Sequence, residues 1–117
     1  MSNITILHNP RCSKSRQTLQ ILNDGGYSST IVEYLKTPPT ADTLRQIKEQ
    51  LGLGTFKDMM RTKEAEFKEH NLHLDGVTED QYLAAMLSSP KLIERPIVIT
   101  ENGARIGRPP ENILEIL

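Results

Sequence analysis

The first 35 residues hold a strand–helix–strand pattern that constrains this chain more than any other feature. Residues 3–8 include the run Ile4-Thr5-Ile6-Leu7 and read as a strand. Residues 30–35, Thr-Ile-Val-Glu-Tyr-Leu, are β-branched and aromatic and read as a second. Between them, residues 13–24 have helix-forming character, ended by Asp24-Gly25-Gly26. Two strands joined through a helix over so short a span make a βαβ unit, so the strands are expected to be parallel and the crossover right-handed.

The turn from the first strand into that helix is His8-Asn9-Pro10-Arg11-Cys12-Ser13-Lys14-Ser15-Arg16. It holds the one cysteine of the chain, with Arg11, Lys14 and Arg16 within four positions of it. A thiol at or near the first helical turn meets the positive end of the helix dipole and unpaired backbone N–H groups, and both favour the thiolate. Cys12 is therefore expected to be a nucleophile and its loop to bind an anion. The alternative is a buried structural thiol, against which stand the polar and cationic neighbours. A single cysteine cannot close an internal disulfide or furnish a thiolate-rich zinc site. Ser15 takes the fourth position of a Cys-x-x-Ser pattern, where a dithiol oxidoreductase would carry its resolving cysteine. Any oxidised intermediate on Cys12 must then be resolved by a thiol from outside the chain.

Further along, Thr37-Pro38-Pro39-Thr40 breaks the chain, with Thr40 as an N-cap. Leu44, Ile47 and Leu51 mark an amphipathic helix stopped by Gly52 and Gly54. Thr55 caps a short helix with Phe56, Met59 and Met60 on one face, residues 62–68 continue as another, and residues 71–77 read as a loop. Thr78-Glu79-Asp80-Gln81 is a capping-box pattern opening a helix lined by Tyr82, Leu83, Met86 and Leu87 and ended by Ser88-Ser89-Pro90. Residues 96–100 and 104–106 flank Glu101-Asn102-Gly103, a hairpin signal. Pro109 and Pro110 then open a last helix whose apolar face is Ile113, Leu114 and Leu117. The total is βαβ, several helices, then ββα: one α/β domain over residues 1–117, with a helical insertion at about 40–90. That is the element order of a thioredoxin-like mixed sheet, with a cysteine at the start of the first helix.

Composition narrows the function. Hydrophobic residues make up 37% and aromatics 4%, with no tryptophan, so Leu, Ile, Val and Met must build the core. Fourteen basic and fifteen acidic residues, with no long run of either sign, argue against nucleic-acid and membrane-surface binding. No apolar run approaches the length of a membrane span and no signal-peptide pattern opens the chain, so a cytoplasmic protein is expected.

Other residues join the candidate list. Ser13 and Ser15 can donate hydroxyl hydrogen bonds to an anion or the thiolate, or serve as helix caps. A protonated His8 near the thiol would lower its pKa further; the alternative is a hydrogen-bonded histidine filling a strand end. His70 and His73 lack partners at ligand spacing, so no metal is expected. Arg61 ends a short apolar helix, Arg95 enters a strand, and Arg108 enters the last helix. Their guanidinium forks suit tetrahedral oxyanions, although each alone is more often a surface residue. In a thioredoxin-like topology the loop before the third strand faces the cysteine turn and its proline is cis, which makes Arg95-Pro96 a candidate cis peptide bond. Arg105 should face solvent.

Taken together, His8-Asn9-Pro10-x-Cys12-x-x-Ser15-Arg16, Thr37-Pro38-Pro39-Thr40, Arg61, Arg95-Pro96-Ile97-Val98 and Gly107-Arg108-Pro109 resemble the glutaredoxin-linked arsenate reductase family over nearly the whole chain. The resemblance implies a thioredoxin-like core with a helical insertion. It implies that Cys12 attacks arsenate, that Arg61, Arg95 and Arg108 hold the oxyanion and its reduced product, and that His8 tunes the thiolate. Glutathione then adds to the arsenylated cysteine, and glutaredoxin reduces the mixed disulfide and releases arsenite, with no bound cofactor. The chain departs from the family pattern at Arg11, where a small residue is common. Gly107 falls at a variable position, and the C-terminal extension of some members does not follow the last helix.

Two rival readings remain at this level. One is a redox-sensing transcriptional regulator of the same superfamily that binds RNA polymerase; Ser15 removes its usual Cys-x-x-Cys switch. The other is a glutathione-dependent reductase of a different substrate.

Overall fold

A four-stranded mixed sheet in the order β2-β1-β3-β4 carries the first part of the chain and the last. The structure is a computed structural model and describes residues 4–117, so Asn3, the expected first residue of the opening strand, lies outside it. The expected βαβ unit is present: β1 (Thr5–Leu7) pairs in parallel with β2 (Thr30–Val32), Ile6 opposite Ile31. On its other side β1 pairs antiparallel with β3 (Ile97–Thr100), Ile6 opposite Val98. β3 returns through the Asn102-Gly103 hairpin into β4 (Gly103–Ile106). β2 is shorter than residues 30–35 because the chain curls after Val32. The N–H groups of Lys36 and Thr37 both donate to the Glu33 carbonyl, at 2.9 and 3.0 Å. The curl carries Tyr34 inward until none of it is exposed.

The helix α1 (Ser13–Asp24) has the expected limits. Its Leu22 joins Ile4, Ile6, Val98, Ile113 and Ile116 in one apolar cluster, each large side chain contributing about 1.5–3 kcal/mol on burial. The closing element differs from expectation. It is a 3-10 helix (Pro110–Ile116), not an α-helix, and its buried residues are Pro110, Ile113 and Ile116. A 3-10 helix repeats every three residues, so the inward stripe runs through Ile116, whereas Leu114, assigned inward at 3.6 spacing, is 56% exposed. Arg105 is half-exposed, as its alternation suggests, and pairs with Glu115 at 2.9 Å.

These elements, the chain through Thr37 together with Arg95–Leu117, form one compact unit; Pro38–Glu94 forms a second. In the second unit, Thr40 caps α2 (Ala41–Leu51) by accepting the Thr43 N–H, and Gly52 ends it in the left-handed region (φ 73°), where a Cβ would be strained. Thr55 caps a 3-10 turn (Phe56–Met59). The next helix, α3 (Ala65–Glu69), starts later than the expected residue 62, because a turn closes first through the Glu64 N–H to the Arg61 carbonyl. The capping box of α4 (Glu79–Ser88) is complete, Thr78 and Gln81 bonding each other's backbone N–H groups. Its buried face is Tyr82, Leu83, Ala85 and Met86. Leu87, expected inward, lies in the last turn and is 38% exposed.

Glu79 ties this unit together. Its carboxylate accepts from the Thr55 hydroxyl at 2.6 Å and the Phe56 N–H at 2.8 Å, and pairs with Lys48 at 3.2 Å. Partial burial alone would raise its pKa, but these donors hold it below the ordinary glutamate value. Its contribution to stability is therefore complete above the unfolded value, near 4.3, and is lost as pH falls through the lower folded value. Glu79→Gln is expected to cost about 1 kcal/mol in urea unfolding at pH 7, and the gap to the native chain should shrink as the pH is lowered through the folded value of Glu79. A gap of equal size above and below that value would sever the carboxylate from stability.

Candidate active site

The turn between β1 and α1 is built by short-range bonds. The Cys12 N–H donates to the Asn9 carbonyl at 3.0 Å, and the Cys12 carbonyl accepts the Arg16 N–H at 3.0 Å, so Cys12 is itself the N-cap of α1, with extended backbone (φ −94°, ψ 123°). Its sulfur closes no cap hydrogen bond onto the helix, but it lies in the field of the first N–H groups. Partial burial pushes the thiol up. The Ser15 N–H, the Arg95 guanidinium as donor and as charge, and the Lys14 N–H outweigh that and bring it below its ordinary value. The sequence-level expectation of a helix-terminus thiolate thus has a local geometric basis.

Two arginines from the far end of the chain reach this sulfur. Arg108 Nη2 stands 3.8 Å from Cys12 Sγ, while its Nε donates to the Arg95 carbonyl at 2.9 Å. Arg95 reaches the sulfur with its own guanidinium and also interacts with the Tyr34 hydroxyl. Its Nε is buried without a hydrogen-bond partner among the described residues. The Arg95–Pro96 peptide is cis, as expected from the topology. Arg108–Pro109 is cis as well, which the sequence reading did not anticipate. Arg61 belongs to the second unit. Its N–H donates to the Leu92 carbonyl at 2.7 Å and its Nε to Glu64 at 3.0 Å.

His8, open in the sequence between a protonated neighbour of the thiol and a hydrogen-bonded strand end, has a hydrogen-bond partner within the turn. It is buried, and its Nδ1 lies 2.6 Å from Ser15 Oγ, which also accepts the Asn9 N–H at 3.0 Å. Burial above all lowers its pKa from the ordinary histidine value; Glu33 raises it and Arg16 lowers it further. Burial thus works against a charged ring at this position. What the ring does is fix Ser15, and with it the Asn9 backbone, beneath the cysteine turn. Ser13 is exposed and Ser15 is fully buried, so the two serines, equivalent in the sequence, have separate surroundings. His70 bonds Ser89 at 3.1 Å, and among the described residues no three metal-ligating side chains converge.

Two contributors escaped the sequence reading. Asn9 is buried and accepts the Arg11 N–H through Oδ1 at 3.0 Å, a turn bond that an Asn-Pro pair can signal. Tyr34 has only a strand pattern around it in the sequence, and nothing in its neighbourhood points to Arg95. Beside the cysteine turn, His8, Asn9, Pro10 and Arg11 with Glu33, Leu35 and Lys36 line an open groove of about 290 Å³.

The sheet order and the lone cysteine heading the first helix, met by guanidinium groups from the third-strand loop and from beyond the fourth, define a thioredoxin-like protein of the single-cysteine kind. Residues 7–116 match the ArsC family, and the chain belongs to that family. The structure of an arsenate reductase from Vibrio cholerae is similar with a TM-score of 0.95 and 48% identity, covering 98% of each chain. An arsenate reductase of Neisseria meningitidis is 44% identical over 117 residues, the full length of both chains. The uncharacterized protein YfgD of Escherichia coli K12 is 48% identical over 114 residues, 97% of this chain and 96% of its own.

Proposed function

We propose that the chain is a cytoplasmic arsenate reductase that takes its electrons from glutathione and glutaredoxin. The observation that carries this reading is the lone Cys12 sulfur held at a helix N-terminus with the Arg95 and Arg108 guanidinium groups upon it. The buried Nε–H of Arg95 is a donor that an arsenate oxygen would satisfy.

In the proposed reaction the Cys12 thiolate bonds to arsenic, and one arsenate oxygen leaves as water. Arg95 and Arg108 stabilise the negative oxygens as they rearrange. Glutathione then adds to the arsenylated cysteine. As a Cys12–glutathione disulfide forms, arsenic takes up an electron pair and departs as arsenite. A glutaredoxin thiolate breaks that disulfide and returns Cys12. The sum converts one arsenate and two thiols into one arsenite, one disulfide and one water, so no bound cofactor is needed. Arg61 is proposed as the third oxyanion arginine on the strength of the family resemblance, and Ser15 and His8 as the pair that sets the thiolate's turn. The groove beside the turn supports a small peptide thiol as co-substrate, since Arg11 offers a cation to a carboxylate and the exposed Lys36–Glu33 pair, 3.6 Å apart, can exchange its mutual contact for ligand charges.

The deciding measurement is arsenite formation by purified protein with arsenate and glutathione, with and without glutaredoxin. Turnover that requires glutaredoxin is expected. Turnover with glutathione alone, or none in either mixture, would overturn the proposed electron path.

A further inference from the structure

Gly107 is buried at the end of β4, immediately before Arg108, and its N–H donates to the Pro96 carbonyl at 2.9 Å. A Cβ at this position would stand 2.6 Å from Thr18 Oγ1, 3.2 Å from Thr18 Cγ2 and 2.8 Å from Pro96 Cγ. Neither neighbour can swing aside. Pro96 is a closed ring, and Thr18 is wholly buried with its hydroxyl donating to the Lys14 carbonyl at 2.8 Å. Its rotamer is thereby fixed, as a β-branched side chain already favours. Densely packed interiors respond to one added methyl group by displacing whatever carries the clashing atoms.

The two clashing residues are informative because each belongs to one half of the site. Thr18 lies on α1, one turn beyond Lys14, on the helix that Cys12 caps. Pro96 follows Arg95 in the loop that brings a guanidinium to the sulfur, and Arg108 is tied to that loop through the Arg95 carbonyl. We propose that Gly107 is a positioning residue: the absence of a side chain there lets the Arg95–Pro96 loop close against the cysteine helix, and that closure sets Arg95 and Arg108 at Cys12. A side chain at 107 would act as a wedge between nucleophile and cations. Although the family resemblance treats the position before Arg108 as variable, in this chain Thr18 and Pro96 leave it no room.

This inference deepens the arsenate-reductase reading and rests on it only for turnover, because its main readout needs no arsenate. Cys12 is the sole cysteine, so iodoacetamide alkylation followed from pH 5 to 10 reports this thiol alone. In Gly107→Ala the midpoint is expected to rise towards the free-thiol value, near 8.5, and the rate at pH 7 to fall about fivefold, as thiolate is lost. Adding Thr18→Ala to that variant removes one of the two clashes and should return part of the lost rate. A folded Gly107→Ala protein with the native alkylation profile would overturn the proposal. So would a double variant no faster than Gly107→Ala. If Gly107→Ala alone fails to fold, the double variant is compared with Thr18→Ala, and identical profiles in those two would overturn it. Arsenate KM should also rise in Gly107→Ala. A shifted alkylation profile in a protein whose native form makes no arsenite would leave the positioning role standing and remove the substrate instead.

Discussion

Purified Cys12→Ser is expected to form no arsenite above the background of glutathione and glutaredoxin alone, a loss on the order of a thousandfold or more, as when the sole nucleophile of a covalent mechanism is removed. The physical reason lies in what the turn can and cannot ionise. Donors that bring a thiol below its ordinary value, chiefly the Ser15 N–H and Arg95 working against burial, are far from sufficient to ionise an aliphatic hydroxyl at neutral pH. The substitution is otherwise mild. Cys12 is half-buried and stands at the N-cap of α1, a position that serine favours, so thermal unfolding should change little. An inactive and stable variant isolates the chemistry. Full activity in it would refute the mechanism.

The second large effect is expected at Arg95. Replacing it with lysine keeps a charge but loses the planar fork that lets one side chain reach the Cys12 sulfur and interact with the Tyr34 hydroxyl together. It also removes the buried Nε donor. Losing one charge-assisted hydrogen bond of about 1.5–3 kcal/mol lowers kcat/KM for arsenate roughly tenfold to a hundredfold. The pH profile should move with it. Because the native thiol titrates below its ordinary value, thiolate is present on the acid side of the free-thiol value and is lost as pH falls through the folded one. Without the full Arg95 contribution that acid limb moves to higher pH. Unchanged kinetics and an unmoved limb in Arg95→Lys would take this residue out of the site.

Much of the local structure was legible because it depends on short-range signals. Thr40 and Thr78 cap their helices with their own hydroxyls, and Asn102-Gly103 turns the hairpin. Each is settled within a few residues. Failures came where the period of an element or its packing decided the outcome. Leu114 follows a 3.6-residue pattern outward once the last helix winds as 3-10. Tyr34 leaves its strand because the chain turns back on the Glu33 carbonyl. His8 was open in the sequence between a charged tuner and a buried strand end. Its burial beside Ser15 works against the cation, since desolvation disfavours the charged form.

By itself the sequence determined the βαβ start, the cysteine at the head of a helix and the lack of a second thiol among these 117 residues. Those follow from residue order and from a count of one. Tertiary structure alone decided which cations face that thiol. Arg108 lies 96 positions from Cys12 along the chain, and its distance to the sulfur depends on β4 returning beside β3 and on Gly107 letting that return close on Thr18 and Pro96. A residue's type fixes what it can donate, but contact between remote residues depends on the space left by everything packed between them.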